Sequence, residues 1–407
     1  MKLAVRILVA YLVLLFLFMG AVARTCAIPR SEIEGNLRQS VQEVVTDGQM
    51  FTWQVGFFKP YIVGVFTECL MLDIAYCVDS DQPMQSAMEN KFYMADGSPV
   101  AGIQTLLSDP GDPHLQPVIY SRYWHGSQCL LRPLLRVTTM RGIRMLNIFL
   151  LALLLIATTA VMIMRLGMRD ALIISLSLLL VMVPTVPLCL NYVPTFVIAL
   201  LALLVILLWD KPTADRGNAV VLFFVIGGVT AFMDLLTTPL VAVAVPLTVY
   251  MLLRQPDDAC RTLMVMALAW LAGYALLWAS KWALAALMTD FDVFGDAMGA
   301  VTQRTVGHGE QGYMLWCLKR TLGMLAAVAV LTAAVTWMLG NVRQALRDNG
   351  WMLLIAASGF VWALVLLEHT WHHLHFTWRM FVVPFIALTL FVSHSFEERR
   401  RQLRTKD

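Results

Sequence analysis

Apolar residues run along this chain in long unbroken blocks, not in the half-apolar stripes of soluble amphipathic helices. A hydrocarbon core of roughly 30 Å takes about 20 helical residues, and a backbone facing lipid must satisfy its own hydrogen bonds. The pattern therefore predicts membrane-crossing helices at 4–23, 145–164, 170–189, 193–209, 218–235, 237–253, 262–287, 321–340, 350–367 and 378–395. Long polar gaps remain only at 24–144 and 288–320. The first block, with Lys2, Arg6 and Ala21-Val22-Ala23, also fits a cleavable secretory signal, but its apolar run is long for one and reads as a retained anchor. Ile62–Val78 is apolar enough to suggest a further span. Glu68 and Asp73 inside it point instead to a buried or interfacial helix outside the bilayer.

Lysine and arginine set the orientation. One set of connections, with the C-terminal tail, holds thirteen: Arg165, Arg169, Lys211, Arg216, Arg254, Arg261, Arg343, Arg347, Arg399, Arg400, Arg401, Arg404 and Lys406. The alternate loops after the second span hold only Arg304, Lys319, Arg320 and Arg379. Both termini are therefore expected in the cytoplasm, with the polar segment 24–144 outside. The predicted organisation is a first transmembrane helix at 1–23, an extracytoplasmic domain at 24–144, a nine-helix bundle at 145–395 and a basic cytoplasmic tail at 396–407. The fold class is all-α and polytopic, with about ten spans and a mainly helical external domain.

Composition agrees: 59% of the 407 residues are hydrophobic and only 14% charged, and mean hydropathy is +0.71. A net charge of +3 gives no reason to expect nucleic acid. Neither a glycine-rich phosphate loop nor a CxxC pair occurs. Cys26, Cys69, Cys77 and Cys129 fall in the external segment, where they are equally readable as disulfides or as buried free thiols.

Polar residues near the membrane are the candidates for chemistry, because each is costly to place there. Ser31-Glu32-Ile33-Glu34 predicts a helix start, running through Glu43. Asp109-Pro110-Gly111-Asp112-Pro113 is a turn. From Tyr120 to Asn147 a basic, aromatic stretch with Arg132, Arg136, Arg141 and Arg144 reads as an amphipathic helix at headgroup level, its arginines either anchors or phosphate ligands. Asp234 ends a span at a tight external hairpin, as a functional acid or a helix-end acceptor. Lys281 lies roughly 9 Å from its span's outer end; it either snorkels to the surface or meets an anionic ligand. Four of the eight histidines, His369, His372, His373 and His375, fall beside Arg379. That loop admits phosphate contact, a metal, or a plain interfacial role; no HExxH motif accompanies it. Glu68 and Asp73, five residues apart, lie about 140° apart on a helix and do not form a close dyad. An acid amid so much apolar sequence tends toward a raised pKa, useful to a general base.

Four stretches carry a resemblance: Thr67–Leu72 with Ile74-Ala75-Tyr76; Tyr120–Gly126 with Leu131–Leu135 and Ile143–Asn147; Asp234–Leu240; and His369–Arg379. In this order they resemble a group of bacterial multi-pass proteins that look like GT-C-type glycosyltransferases. The resemblance implies transfer of a sugar from a polyprenyl-phosphate donor to an extracytoplasmic glycan or envelope acceptor. It implies Glu68, or secondly Asp73, as the general base. Arg122, His125, Arg132, His369, His373 and Arg379 are the implied phosphate and sugar contacts, and Tyr123, Asp234 and Lys281 complete the candidate set. No cofactor or metal is indicated, and membrane lipid is the remaining expected partner. Members carry aspartate where Glu68 stands and asparagine where Glu368 stands, two departures. The competing readings are a non-catalytic envelope-assembly scaffold and a transporter or flippase. A transporter would favour midplane charges and internal repeats, and neither is evident.

Overall fold

A computed structural model describes residues 2–50, 52–55, 58–62, 64–306, 311–338 and 342–404. Lys406, one of the basic tail residues, lies outside them. The chain is overwhelmingly helical. In order, the elements are α1 (Leu3–Cys26), α2 (Glu34–Met50), β1 (Thr52–Val55), β2 (Phe58–Ile62), α3 (Val65–Cys77), α4 (Pro83–Glu89), β3 (Phe92–Met94), α5 (Pro99–Ser108), β4 (Gln116–Val118) and α6 (Gln128–Leu135). Then follow α7 (Met140–Leu166), α8 (Met168–Met182), α9 (Val193–Leu208), α10 (Asp210–Ala214), α11 (Arg216–Met233), α12 (Pro239–Arg254), α13 (Ala259–Met288) and α14 (Val293–Val306). The chain closes with α15 (Gln311–Met338), α16 (Val342–Val365), α17 (Leu367–His372), α18 (Leu374–Thr377) and α19 (Val382–Arg404). The strands form two small antiparallel two-stranded sheets, β1 with β2 and β3 with β4, the latter pairing Phe92 with Val118 across the intervening α5.

Among the described residues, seven helices are long and apolar enough to cross a membrane: α1, α7, α11, α13, α15, α16 and the stretch Leu374–Phe396. A helix also stands at each of the other three expected spans, but α8, α9 and α12 have only 15, 16 and 16 residues. Pro184 and Pro187 explain the first case: the residue before a proline is pushed out of the helical region, so α8 stops at Met182, seven residues before the expected end. α12 is apolar all round and buried along almost its whole length, the signature of a helix enclosed by others. α7 begins at Met140, earlier than expected, so Arg141 and Arg144 lie on its first turns instead of on a surface helix.

Capping fixes several starts. Ser98, Asp215 and Asp258 each accept a backbone N–H from the first turn of α5, α11 and α13. Two buried apolar clusters result. The larger fills the bundle and includes Phe18 of α1, stacked on Phe232 of α11 at 4.0 Å. The smaller joins α2, α3, α5, α6 and the start of α7 through Ile33, Leu37, Leu72, Ile103, Leu131 and Ile143.

The closest helix pair is α11 with α13. A Cβ on Gly227 would lie 2.0 Å from the Trp270 carbonyl oxygen, and one on Gly273 2.0 Å from that of Phe224. Only glycine lets these backbones meet. Gly273→Ala is expected to cost about 1–3 kcal/mol by overpacking. Gly323→Ala on α15, where a Cβ meets nothing within 4 Å, is expected to be neutral or mildly stabilising. Thermal unfolding of the two variants in detergent checks the contrast.

Candidate functional site

α3 is apolar on every side and packs between α2 and α5. It therefore carries Glu68 and Asp73 into places that water does not reach; both are fully buried. Glu68 Oε2 accepts from Arg144 Nη2 at 2.5 Å, and Oε1 accepts from the Leu190 backbone N–H at 3.1 Å. Arg144 also donates through Nη1 to Asp47 at 2.6 Å and through Nε to the Leu188 carbonyl at 3.0 Å. Burial pushes the Glu68 carboxyl up from its ordinary range, and the Arg144 guanidinium pulls against that shift. Asp73 has separate partners: the Cys77 thiol at 3.1 Å and the Tyr93 N–H at 3.0 Å. With no cation beside it, burial raises its pKa to about 7.

The segment after Leu188 links Glu68 to the histidine loop. Leu190 donates to Glu68, and the next carbonyl, that of Asn191, accepts from Thr237 Oγ1 at 3.3 Å. Thr237 in turn donates its backbone N–H to Asp234 at 3.0 Å, and its single hydroxyl proton is shared between the Asn191 carbonyl and the Asp234 carboxylate. Thr195 donates to the same carboxylate at 3.0 Å. Leu236, in the turn that Asp234 opens, bonds through its carbonyl to His369 Nε2 at 2.8 Å. On the other flank, the Gly126 N–H donates to the Phe232 carbonyl at 2.9 Å, docking the 120–127 loop on the end of α11. His125 and Leu236 both hold left-handed backbone conformations, φ +52° and +63°, that non-glycine residues rarely adopt. Such strain gathers at functional sites.

Buried polar atoms without a partner gather along the same surfaces. Among the described residues they include Tyr123 Oη, both ring nitrogens of His125, Asn191 Oδ1, Tyr192 Oη, His369 Nδ1 and Thr370 Oγ1. Native proteins satisfy most such atoms, so a concentration of exceptions marks a place prepared for a ligand or for water. Burial lowers the pKa of His125 to about 3 and that of His369 to about 4. Both rings are therefore neutral at pH 7, and offer hydrogen bonds without charge.

Most of the cations named from the sequence are engaged elsewhere. Arg122 grips both oxygens of Asp296 at 2.8 Å. Arg132, fully buried, donates to the carbonyls of Thr25, Ile28 and Ala75. Lys281 does not snorkel: it is fully buried, and its Nζ donates to the carbonyls of Ala87 at 2.9 Å and Met88 at 2.8 Å. Arg379 donates to the carbonyls of Val181 and His375 and to Thr185 Oγ1, with its guanidinium 4.6 Å from the Tyr192 ring. His373 stacks on Phe376 and neighbours His369, with ring centroids 5.1 and 4.9 Å apart. Among the described residues, no three His, Cys, Asp or Glu side chains are placed to hold a metal, and the cysteines are free thiols.

The sequence did not single out Arg304. It lies on α14, half-buried, with its guanidinium 5.5 Å from the Tyr123 ring. Tyr123 stacks on Trp278, which meets Tyr274 edge-on. Arg304 has no ion pair or hydrogen bond among the described residues, so it is the cation left available here. Its sequence signal was only a lone basic residue in an external loop, and Tyr192 and Asn191 gave none.

Removing one partner of a buried ion pair strands the other. Arg144→Met is expected to cost about 3–5 kcal/mol, and Glu68→Leu/Arg144→Met to recover part of that loss; chemical unfolding in detergent measures both. Asp73 supplies a pH signature. Its folded pKa of about 7 exceeds an unfolded value of about 3.9. Its contribution is thus full below that lower value and is lost as pH rises through the upper one. Asp73→Asn should flatten this decline in melting temperature between about pH 4 and pH 7.

Compared with known protein families, curated proteins and solved structures, the chain matches none. Functional assignment rests on the residues and their geometry.

Proposed function

We propose that the chain is a membrane glycosyltransferase of GT-C type, moving a sugar from a polyprenyl-phosphate donor to a glycan or envelope acceptor outside the cytoplasm. In this reading all ten apolar helices cross the membrane, α8 cut short by the prolines that follow it and α9 and α12 short where neighbours enclose them. Residues 24–144 and the Glu68–His369 surface face outward, and the termini face the cytoplasm. The observation that carries the reading is the hydrogen-bonded path from Glu68 through Leu190, Asn191 and Thr237 to the turn that holds His369, lined by unpartnered buried polar atoms.

Glu68 takes the proton of the acceptor hydroxyl as that oxygen bonds to the anomeric carbon. The bond from that carbon to the phosphate oxygen breaks, and its electron pair leaves with the polyprenyl phosphate. Arg304 faces the growing negative charge, with the Tyr192 hydroxyl as a hydrogen-bond donor; the neutral His369 ring donates through Nε2 to the Leu236 carbonyl, which leaves Nδ1 as an acceptor for a sugar hydroxyl. Arg144 opposes the upward shift that burial imposes on the Glu68 carboxyl, and the acceptor displaces it. A second reading draws on the same ion pair. A carboxylate closed off by Arg144 suits a non-catalytic envelope scaffold, in which Glu68 only fixes α3 to α7.

Turnover of purified protein with polyprenyl-phosphate sugars and glycan acceptors separates the two. Glu68→Gln is expected to reduce turnover by about 10²–10⁴-fold, the usual share of a general base. Arg304→Gln, at a residue with no ion pair or hydrogen bond among the described residues and only its contact with the Tyr123 ring to lose, should lower it by roughly tenfold or more at nearly unchanged melting temperature. Activity that survives both substitutions leaves the scaffold as the better account.

A further inference from the structure

The end of the bundle remote from Glu68 holds a cavity of ≈ 700 Å³. α7 spans the distance, carrying Arg144 near its start and Arg165, which lines the cavity, in its last turn. Arg165, Arg169, Asp170, Arg347, Asp348 and Asn349 contribute to the walls, with Asp257 and His394.

Much of this charge is already matched. Asp170 sits between Arg169 at 2.8 Å and His394 at 2.9 Å. Arg165 pairs with Asp210 at 2.6 Å, and Arg254 shares that carboxylate at 2.7 Å. What is left has a definite chemistry. Among the described residues, Arg347 has no ion pair or hydrogen bond, and the side-chain amide of Asn349, only 7% exposed, has a buried Nδ2 without an acceptor. Both ask for oxygen acceptors. Asp348 and Asp257 are exposed carboxylates, likewise without partners among the described residues. They would repel a bare anion and attract an ammonium. The remaining wall, Trp351, Met352 and Leu252, is apolar.

We propose that this cavity binds an aminoalkyl phosphate, its phosphate oxygens on Arg347 and Asn349 and its ammonium group on Asp348 or Asp257. The matched set of one guanidinium and one amide beside two carboxylates selects a zwitterion over a simple anion. A bidentate guanidinium fits phosphate oxygens, and a primary ammonium offers the carboxylates N–H donors that a quaternary amine lacks. The ligand arrives either as the headgroup of a phospholipid or as a soluble molecule. This site is independent of the transferase reading, and substitutions here leave the Glu68 surface untouched.

Native mass spectrometry of the full chain in detergent tests it, with phosphatidylethanolamine, phosphatidylglycerol and phosphatidylcholine added in equal amounts. Phosphatidylethanolamine is expected to be retained at least tenfold over the other two. Arg347→Gln, and Asp348→Asn combined with Asp257→Asn, all at exposed positions, should each abolish that preference, whereas Arg38→Gln in the other polar region should not. Soluble phosphoethanolamine that binds while phosphatidylethanolamine does not assigns the ligand to the aqueous phase; the converse assigns it to the lipid. Equal retention of phosphatidylglycerol, a preference that survives in both variants, or inorganic phosphate competing as well as phosphoethanolamine overturns the proposal.

Discussion

Arg144 donates from three nitrogens at once, to Glu68, to Asp47 and to the Leu188 carbonyl. Two carboxylates and a guanidinium removed from water are costly unless every donor and acceptor is used, because each desolvated ion loses several kcal/mol of hydration. The completeness of the bonding is therefore a condition for the ions being there. It ties α2, α3 and α7 together at one point, and it fixes the backbone of 188–190 against them. The Asp234 turn hangs from that backbone through Asn191 and Thr237, and the histidine loop hangs from the turn. The region between Glu68 and His369 inherits its geometry from this one triad.

The other buried cations follow a single rule. The last carbonyls of a helix have no partner within it, and a helix that ends inside the protein must find donors elsewhere. Arg132 serves the ends of α1 and α3, at Thr25 and Ala75. Lys281 serves the end of α4 at Ala87 and Met88, and Arg379 the end of α8 at Val181. Each also places positive charge at the negative end of a helix dipole. These long side chains hold short helices in position, and their charge is spent locally. Beside Tyr123 and His369 the guanidinium of Arg304, which has no ion pair or hydrogen bond among the described residues, stands among neutral rings and hydroxyls. Its chemistry is chiefly that of hydrogen bonds.

The sequence made the helices legible, because a span-length apolar run or an apolar run interrupted by two acids carries its own cost. α3, with Glu68 and Asp73 on different sides, could be read from 62–78 alone. Helix lengths were less legible: the run through 170–189 contains Pro184 and Pro187, and hydropathy does not register a broken backbone. Partners were least legible. Lys281 amid tryptophans has the same price in isolation whether it reaches for water, a ligand or the end of α4. Only the tertiary position of Met88 decides, and no local pattern encodes it. The arginines of 132–144 read as surface anchors for the same reason, although α2 and α3 cover Arg132 and Arg144.

Strain and unsatisfied polarity fall together in this molecule. His125 and Leu236 hold left-handed backbones on either side of the end of α11, and the unpartnered atoms of His125, Tyr123 and His369 lie beside them. Either feature alone would relax if the surroundings allowed it: a loop would shift to an ordinary turn, or a ring would rotate to a carbonyl. They persist because the Gly126–Phe232 bond fixes one loop and the His369–Leu236 bond the other, while the Arg144 triad anchors the segment between. A region so over-determined keeps polar atoms without a partner where a freer one would pair them. That is the physical meaning of a preorganised site: the fold meets the cost of orientation before a ligand arrives.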